Sequence, residues 1–290
     1  MKKLVICLII FLNTTALFSQ DFFINERHGS NLSQGLHWHD LSVFEFANIF
    51  SSNALRILMG DLSRLDWPLD IFSLAQLDNQ HLRLLRNLIF ARHGLIFNSP
   101  DLVSYFSRFG WYNPRYDNVD HLLANVDRWN IQRIQAFENR NENLPTVVLN
   151  NHIGFWHDSP FVASGYGERF IIHPNNRMEL FYSQMRPLPI GNKLSGTYAI
   201  RGNVLTFSVT EIYFSMNNSI IRQGYDWESM EMNRMVLETP ILFKFPITNI
   251  ELSSIQLTDR ERTILERETF SIGGQRVFKL SDDVNHGRRR

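Results

Sequence analysis

The hydrophobic pattern of this chain changes its period at residues 139–145. Upstream, apolar residues recur every three or four positions, and downstream, β-branched and aromatic residues alternate with polar ones in short runs. The residues between them, NRNENLP, are polar and end in a proline, which is typical of a linker. The sequence therefore predicts an α+β protein, with a helical domain over residues 41–140, a linker over 141–145 and an antiparallel β domain over 146–282.

Residues 1–20 have the three parts of a secretory signal peptide. Lys2 and Lys3 precede the apolar run Leu4–Leu12, and small or polar residues follow it up to Gln20. The apolar run is shorter than the roughly 20 residues that cross a bilayer, so we expect export without a transmembrane segment. Residues 21–40 are polar, with several glycines and asparagines, and predict an irregular arm.

Cysteine content and charge limit the classes of function. Cys7 is the only cysteine and lies inside the apolar run rather than at its end. We therefore predict no lipoprotein anchor and, in the mature chain, no disulfide or thiolate metal site. Removing Lys2 and Lys3 from the 29 basic residues leaves 27 against 29 acidic ones, a formal charge of −2 with histidines neutral. Because nucleic-acid binding relies on a clustered surplus of Lys and Arg, we expect no nucleic-acid partner, and the basic tail at 283–290 favours a solvated end.

The helical region predicts three helices with clear local signals. Apolar residues at helical spacing predict a helix from about Asn79 to His93, which Gly94 ends in the left-handed conformation. Ser99-Pro100-Asp101 favours the start of a second helix, Trp111 to Pro114 a turn, and the spacing from about Val119 to Phe137 a third helix. Four polar residues of the first helix stand among Leu, Ile and Phe, and we call them the polar tetrad: Arg86, Asn87, Arg92 and His93.

The first helix carries the residues of a family resemblance. The run IFARHG, with LRLLRN before it, the element Trp111-Tyr112-x-Pro114 after it and a helix containing Asn130-Ile131, resembles the YARHG domain over roughly residues 66–138. Phe90 stands where that motif usually has tyrosine. The family is a module of exported bacterial proteins whose function is unknown, so the resemblance implies export and supplies no activity.

The polar tetrad admits three interpretations. Its side chains can tie the Trp111-Tyr112 turn and the third helix to the first, with arginine stacking on an aromatic ring and asparagine bonding the backbone. They can instead bind a carboxylate or phosphate group of a wall polymer or of a peptide terminus. A hydrolase would use His93 with Asp117 or Asp120. The ligand-binding hypothesis comprises Arg86, Asn87, Arg92, His93, Trp111 and Tyr112, and we assign no catalytic residue.

Histidine pairs are the remaining candidates for metal chemistry. His37 and His39 in the run HWHD lie two residues apart and project to one side of a strand, where a third ligand would complete a metal site. The same run also reads as a helix entry with Asp40 as its N-cap. No HExxH or similar spacing supports the metal. We assign no metal and no cofactor.

The downstream region predicts seven to nine antiparallel strands that form a closed or half-closed barrel. The start GFW at Gly154–Trp156, an extended hairpin and then the run LSGTYAIRGNVLTFSVTEI look like the small lipocalin-like domains of exported bacterial proteins. Alternation points three side chains into the barrel lumen, which holds either a small hydrophobic ligand or only the chain's own side chains: Leu205, Phe207 and Val209. Residues 215–239, with Trp227 and four methionines, predict an insert that is a lid, a partner surface or a helix over one barrel end.

These observations favour an exported, non-catalytic protein of the bacterial envelope, periplasmic or at the surface. The helical module would bind a cell-wall component or an envelope protein, and the barrel a small hydrophobic ligand or a second protein. Two alternatives stay open, a purely structural protein with both cores filled and a hydrolase of wall or peptide substrates acting through His93. The sequence leaves the oligomeric state open.

Overall fold

The computed structural model describes residues 53–147, 151–160, 167–182, 193–214, 233–256 and 264–285. The predicted signal peptide, the arm, the HWHD run, residues 215–232 of the insert and the end of the basic tail lie outside the described residues. Among the residues described, no helix is long and apolar enough to cross a membrane.

Within the described residues, the helical region consists of a helical segment at 53–58, four further helices and two 3-10 turns. Residues 53–58 are helical and are followed by a 3-10 turn at Leu62–Asp66. The helices are α1 (Ile71–Ala75), α2 (Asn79–Arg92), α3 (Pro100–Phe106) and α4 (Asn125–Glu138), with a second 3-10 turn at Asp120–Leu122 between the last two. The three predicted helices are therefore present, with α3 shorter than predicted and α4 starting later.

Local caps explain where α2 begins and ends. The side chain of Asp78 accepts a hydrogen bond from the His81 N–H, which satisfies one of the free donors at the helix start. Gly94 has φ of 86°, and a Cβ atom there would lie 2.9 Å from the Asn113 carbonyl oxygen. Only glycine fits this left-handed position against the returning chain, so the helix ends where the sequence predicts.

The start of α4 differs from the prediction because a capping contact between residues three positions apart decides it. The Asp127 carboxylate reaches back to accept the Ala124 N–H at 2.9 Å, which begins the helix at Asn125 rather than at Val119. Leu122, predicted to be buried in the third helix, lies in the 3-10 turn and is 39% exposed.

The β region is one sheet of nine antiparallel strands. Its strands are β1 (Gly154–His157), β2 (Arg169–Ile172), β3 (Arg177–Phe181), β4 (Lys193–Arg201), β5 (Val204–Phe214), β6 (Asn233–Pro246), β7 (Glu251–Gln256), β8 (Ile264–Ile272) and β9 (Gln275–Ser281). The order across the sheet is β6-β5-β4-β3-β2-β1-β9-β8-β7. The described end of the predicted insert, residues 233–239, is the first half of β6 and not a lid or a helix.

The sheet curls strongly, because its two edge strands follow each other in sequence. Only residues 247–250 separate the end of β6 from the start of β7. The link pairs with the β8–β9 hairpin, through a bridge between Ile247 and Ile272 and a bond of 3.1 Å from the Thr248 N–H to the Ser271 oxygen. Across the described strands, no continuous ladder joins β6 to β7, so the sheet is open. The antiparallel prediction is confirmed, and the closed, lipocalin-like barrel is not confirmed.

Helices and sheet belong to one compact unit, Ala47–Arg290. The predicted linker lies inside this unit and is bonded to the β4–β5 turn. The Asn141 N–H donates to the Asn203 side chain at 2.7 Å, and the Val147 N–H donates to the Gly202 oxygen at 2.8 Å. Residues 141–145 therefore join two packed regions.

Candidate functional site

The polar tetrad meets a buried carboxylate that comes from α4. Asp127 has no exposed surface. Its Oδ1 accepts from Nη2 of Arg92 at 2.5 Å, and its Oδ2 lies 2.9 Å from Nε2 of His93. Because both oxygens of one buried carboxylate face two neighbouring basic side chains, Arg92 and His93 act as a pair toward α4.

The same carboxylate and the same arginine each have a further partner. Asp127 also caps its own helix through the Ala124 N–H, so it is satisfied by three groups. Arg92 extends to the 3-10 turn, where its Nη1 donates to Asp66 at 3.0 Å. This network connects α2, α4 and the 3-10 turn, which suits a structural tie.

Arg86 and Asn87 have separate partners from the other half of the tetrad. The Nε of Arg86 donates to the Glu138 carboxylate at 2.7 Å, and both side chains are less than one-third exposed. Asn87 donates to the Arg83 carbonyl at 2.8 Å, one turn back in its own helix. The tetrad therefore makes three contacts with α4, one with the 3-10 turn and one local bond, and it is not a single cluster around an empty centre.

Trp111 and Tyr112 belong to an aromatic cluster with α3 and its neighbours. The Trp111 ring stacks on Phe109 at 5.2 Å with an interplanar angle of 14°. The Tyr112 hydroxyl donates to the Leu95 carbonyl at 2.8 Å, and its ring packs against Phe106 at 5.7 Å. Burial raises the pKa of Tyr112. Among the described residues, no hydrogen bond, ion pair or ring contact joins this aromatic pair to the tetrad, so the two groups are held by separate interactions.

His93 has a carboxylate neighbour that differs from the predicted ones. The hydrolase interpretation names Asp117 or Asp120, but Asp127 is the residue at hydrogen-bond distance. Asp120 instead accepts from the Asn118 side chain at 3.3 Å. His93 retains about one-fifth of its side-chain surface exposed.

Two buried polar residues of α4 complete the network and were not singled out as site residues from the sequence. Asn130 accepts from the Leu69 N–H at 2.8 Å and donates to the Trp67 carbonyl at 3.1 Å. Arg133 donates to the Leu69 carbonyl, and its guanidinium lies 3.7 Å from the Trp129 ring. Both stand within the apolar stripe of α4, and polar residues at such positions are the signal that predicts buried hydrogen bonding.

Arg140 joins the end of α4 to α1 and to β6. Its guanidinium donates to the carbonyls of Ala75, Leu77 and Lys244 at 3.3, 2.7 and 2.9 Å. Burial lowers the pKa of this arginine. The residue therefore fixes the helices to the edge strand of the sheet.

The three predicted lumen residues lie on a face that the helical region covers. Leu205, Phe207 and Val209 are buried, and β6 places Phe245, Phe243 and Ile241 opposite them. Phe72 of α1 packs edge-on against Phe243 and Phe245 at 5.5 and 5.4 Å and against Tyr182 at 5.0 Å. This part of the apolar face is filled by a side chain of the helical region.

The histidines of the first strands have protein partners. Nε2 of His152 lies 2.7 Å from the Tyr198 hydroxyl, and Nδ1 of His157 accepts the Ser159 N–H at 2.9 Å. Desolvation lowers the pKa of His157, against the opposing effect of Asp158. Within the described ranges, no three His, Cys, Asp or Glu side chains come together as a metal-binding group.

Comparison with known proteins identifies the helical region. Residues 62–139 match the family model of the YARHG domain. The match runs from the first 3-10 turn through α4, which confirms the resemblance predicted for residues 66–138, and it leaves out the sheet. No curated protein and no solved structure matches the chain.

Proposed function

We propose that the protein is an exported bacterial envelope protein that binds or scaffolds other envelope components without catalysing a reaction. The match to a domain of exported proteins and the signal-peptide pattern at residues 1–20 support export. The absence of catalysis in this proposal rests on one observation, that the charged side chains of the tetrad pair with residues of the protein itself. Arg86 binds Glu138, Arg92 binds Asp66 and Asp127, and His93 binds Asp127.

This pairing argues against an anion site at the tetrad. A ligand carboxylate or phosphate would have to displace Asp127, which is fully buried and would be left as an unpaired charge. Breaking a buried ion pair costs about 3–5 kcal/mol, because water does not solvate the charge that remains. The buried ion pairs therefore favour the interpretation that the tetrad connects α2 to α4.

The sheet would contribute a second binding region in this proposal. The curl at the β6–β7 link supports a barrel-like shape of the lipocalin-like type. The cover that Phe72 provides over Phe243 and Phe245 favours a filled core at this end over a lumen for a small apolar ligand. A second protein, or a ligand at another part of the sheet, fits the proposal better.

One observation favours a second candidate, a hydrolase acting on wall or peptide substrates. His93 lies 2.9 Å from a buried aspartate and remains partly exposed, which is the geometry of a base oriented by a carboxylate. The carboxylate is also held by Arg92 and by the Ala124 N–H, and it caps a helix. We therefore favour a structural role for the pair.

Incubation of the mature protein with purified peptidoglycan sacculi separates these functions. The proposal predicts that no soluble fragments are released by the parent protein or by His93→Gln, as measured by chromatography of the supernatant. It also predicts that inorganic phosphate does not raise the melting temperature in a way that depends on Arg92. Fragment release that His93→Gln abolishes would refute the proposal and establish the hydrolase.

A further inference from the structure

His157 is a histidine that the sheet encloses at the end of β1. It is only 2% exposed, and β1 pairs it with Arg169 of β2 on one side and with the uncharged Phe278 of β9 on the other. The ring also packs on the backbone just before β2, where a Cβ atom on Gly167 would lie 2.6 Å from its Nε2. Glycine at this position therefore leaves the space that the imidazole occupies, and the ring lies between the end of β1 and the start of β2.

A hydrogen bond from the backbone determines the protonation state of this ring. The Ser159 N–H donates to Nδ1 of His157 at 2.9 Å. Because a backbone N–H is only a donor, Nδ1 carries no proton in this arrangement, and the neutral imidazole has its proton on Nε2. A proton on Nδ1 would face the Ser159 N–H, and the hydrogen bond would be lost. The chain that follows β1 is therefore compatible with a neutral imidazole and not with an imidazolium.

Charged groups on the neighbouring elements affect how readily the ring accepts a proton. Oδ1 of Asp158 lies 3.4 Å from Nδ1 of His157 and favours the charged form, whereas Arg169 on β2 opposes a second positive charge. β2 is also preceded by the buried Glu168, whose carbonyl accepts the Asp158 N–H at 3.1 Å. Burial has the largest effect, and it lowers the pKa of His157 because an enclosed imidazolium loses its hydration.

Asp158 connects this strand end to the helical region. Its Oδ2 accepts from Nε2 of Gln275 at 3.4 Å, and Oε1 of Gln275 lies 3.5 Å from Nη2 of Arg133 on α4. Gln275 directly follows Gly274, where a Cβ atom would lie 3.4 Å from the Arg133 Cα atom. The residue next to His157 therefore contacts the part of β9 that packs on α4.

We propose that His157 is an acid-sensitive contact: its neutral imidazole holds the end of β1 to the start of β2, and protonation releases these two strand ends beside the junction with α4. The unfolded chain takes up the same proton near the ordinary histidine pKa of about 6.5, and the folded protein takes it up only at lower pH. The stability that neutral His157 contributes is therefore fully present above about pH 6.5 and is lost as the pH falls below that value. This inference concerns regulation and does not depend on what the protein binds.

Proton–nitrogen NMR of the mature full-length protein with labelled histidine measures the state of the ring. Long-range couplings distinguish Nδ1 from Nε2, and His157→Asn identifies the His157 signals. We expect the tautomer with its proton on Nε2 at about pH 7.5, and protonation of the ring only well below the ordinary histidine pKa of about 6.5.

Amide hydrogen exchange shows whether the strand ends respond to this proton. In the parent protein, the protection of the β1 and β2 amides, corrected for intrinsic exchange, should fall severalfold between about pH 7.5 and about pH 5. His157→Asn should keep its protection over this range, because the asparagine oxygen can accept the Ser159 N–H and does not titrate. His121→Asn is the control, since it removes an exposed histidine from the 3-10 turn at Asp120–Leu122 and should respond to acid as the parent does.

Three results would overturn the acid-sensitive contact. The first is a His157 ring that carries its proton on Nδ1 at neutral pH or titrates at the ordinary histidine pKa. The second is protonation of His157 without a loss of protection in β1 and β2. The third is a loss of protection in His157→Asn equal to that of the parent, which would assign the acid response to another group. If His157→Asn does not fold, the first two results are still measured on the parent protein, with the His157 signals assigned through its backbone.

Discussion

Asp127 is a fully buried carboxylate, and the residues around it explain the Arg-His pair at the end of α2. Removing a carboxylate from water costs several kcal/mol unless charge and hydrogen bonds replace the lost hydration. Arg92, His93 and the Ala124 N–H supply three such contacts. The two basic residues also lie at the negative end of the helix dipole, where positive charge is favoured. Their positions therefore follow from the stability of the module and require no ligand.

Asn130 and Asn87 provide a direct comparison of a long-range tie with a local bond. Asn130→Ala leaves the buried Leu69 N–H and the partly buried Trp67 carbonyl without their partner, so we expect the free energy of unfolding to fall by about 2 kcal/mol. Asn87→Ala removes one hydrogen bond to a carbonyl of its own helix and should change the free energy of unfolding by less than about 0.5 kcal/mol. Urea unfolding measures the stability of both variants. Equal losses would contradict the assignment of Asn130 as a long-range tie and Asn87 as a local bond.

At the scale of elements, the β8–β9 turn packs the sheet against α1 and α4. Gly273 has φ of 62°, and a Cβ atom there would lie 2.9 Å from the Ile71 side chain and 3.1 Å from Phe137. A Cβ atom on Gly274 would lie 3.3 Å from Ala136. The turn therefore inserts between α1 and α4, and its glycines are needed for close approach as well as for conformation.

Gly273→Ala should lower the free energy of unfolding by at least about 2 kcal/mol, because the left-handed conformation and the contact with Ile71 both oppose a side chain. Gly110 is the control, since a Cβ atom there meets nothing within 4 Å. Gly110→Ala should leave stability close to that of the parent. Differential scanning calorimetry compares the two variants, and a Gly273→Ala protein as stable as Gly110→Ala would show that the turn is not tightly docked.

Local sequence signals predict the elements well and their partners poorly. The ends of α2 follow from Asp78 and Gly94, and the run LSGTYAIRGNVLTFSVTEI forms β4 and β5 as predicted, because these signals act within a few positions. The contacts of the tetrad depend on Asp127 and Glu138, which are 34 or more residues from their partners. Tertiary packing decides which sides of two helices meet. A local sequence pattern therefore does not identify the ion pairs between α2 and α4.

At the scale of the whole molecule, the helical region acts as part of the core of the sheet. Phe72 is almost fully buried against aromatic residues of β6, and Arg140 bonds α1, the end of α4 and β6 together. Without the helices, the aromatic residues of the sheet would lose the cover that Phe72 provides. Without the sheet, Phe72 would itself be exposed. The unit Ala47–Arg290 is therefore best understood as cooperative, with the YARHG-matching region filling one part of a curled sheet.

This unit should unfold in a single transition. Circular dichroism at helix wavelengths and tryptophan fluorescence should give coincident midpoints, as expected for two-state unfolding. Phe72→Ala should lower both midpoints together and reduce the free energy of unfolding by about 3–5 kcal/mol, the usual loss for a buried phenylalanine. Two separated transitions, with only the helical one shifted by Phe72→Ala, would show that the regions are independent.

The stability of Arg92→Ala tests the central claim that the tetrad is a structural tie. Its partner Asp127 is fully buried, so we expect the free energy of unfolding from urea titration to fall by about 3–5 kcal/mol, and Asp127→Asn in the same chain to recover part of that loss. Arg83→Ala is the matched control, because Arg83 lies on the same helix as Arg92 and its ion pair with Asp101 of α3 is exposed, so the loss of stability should be much smaller. An Arg92→Ala protein as stable as Arg83→Ala, combined with loss of a stabilisation that phosphate or a wall fragment gives the parent, would contradict the account and make the tetrad a ligand site.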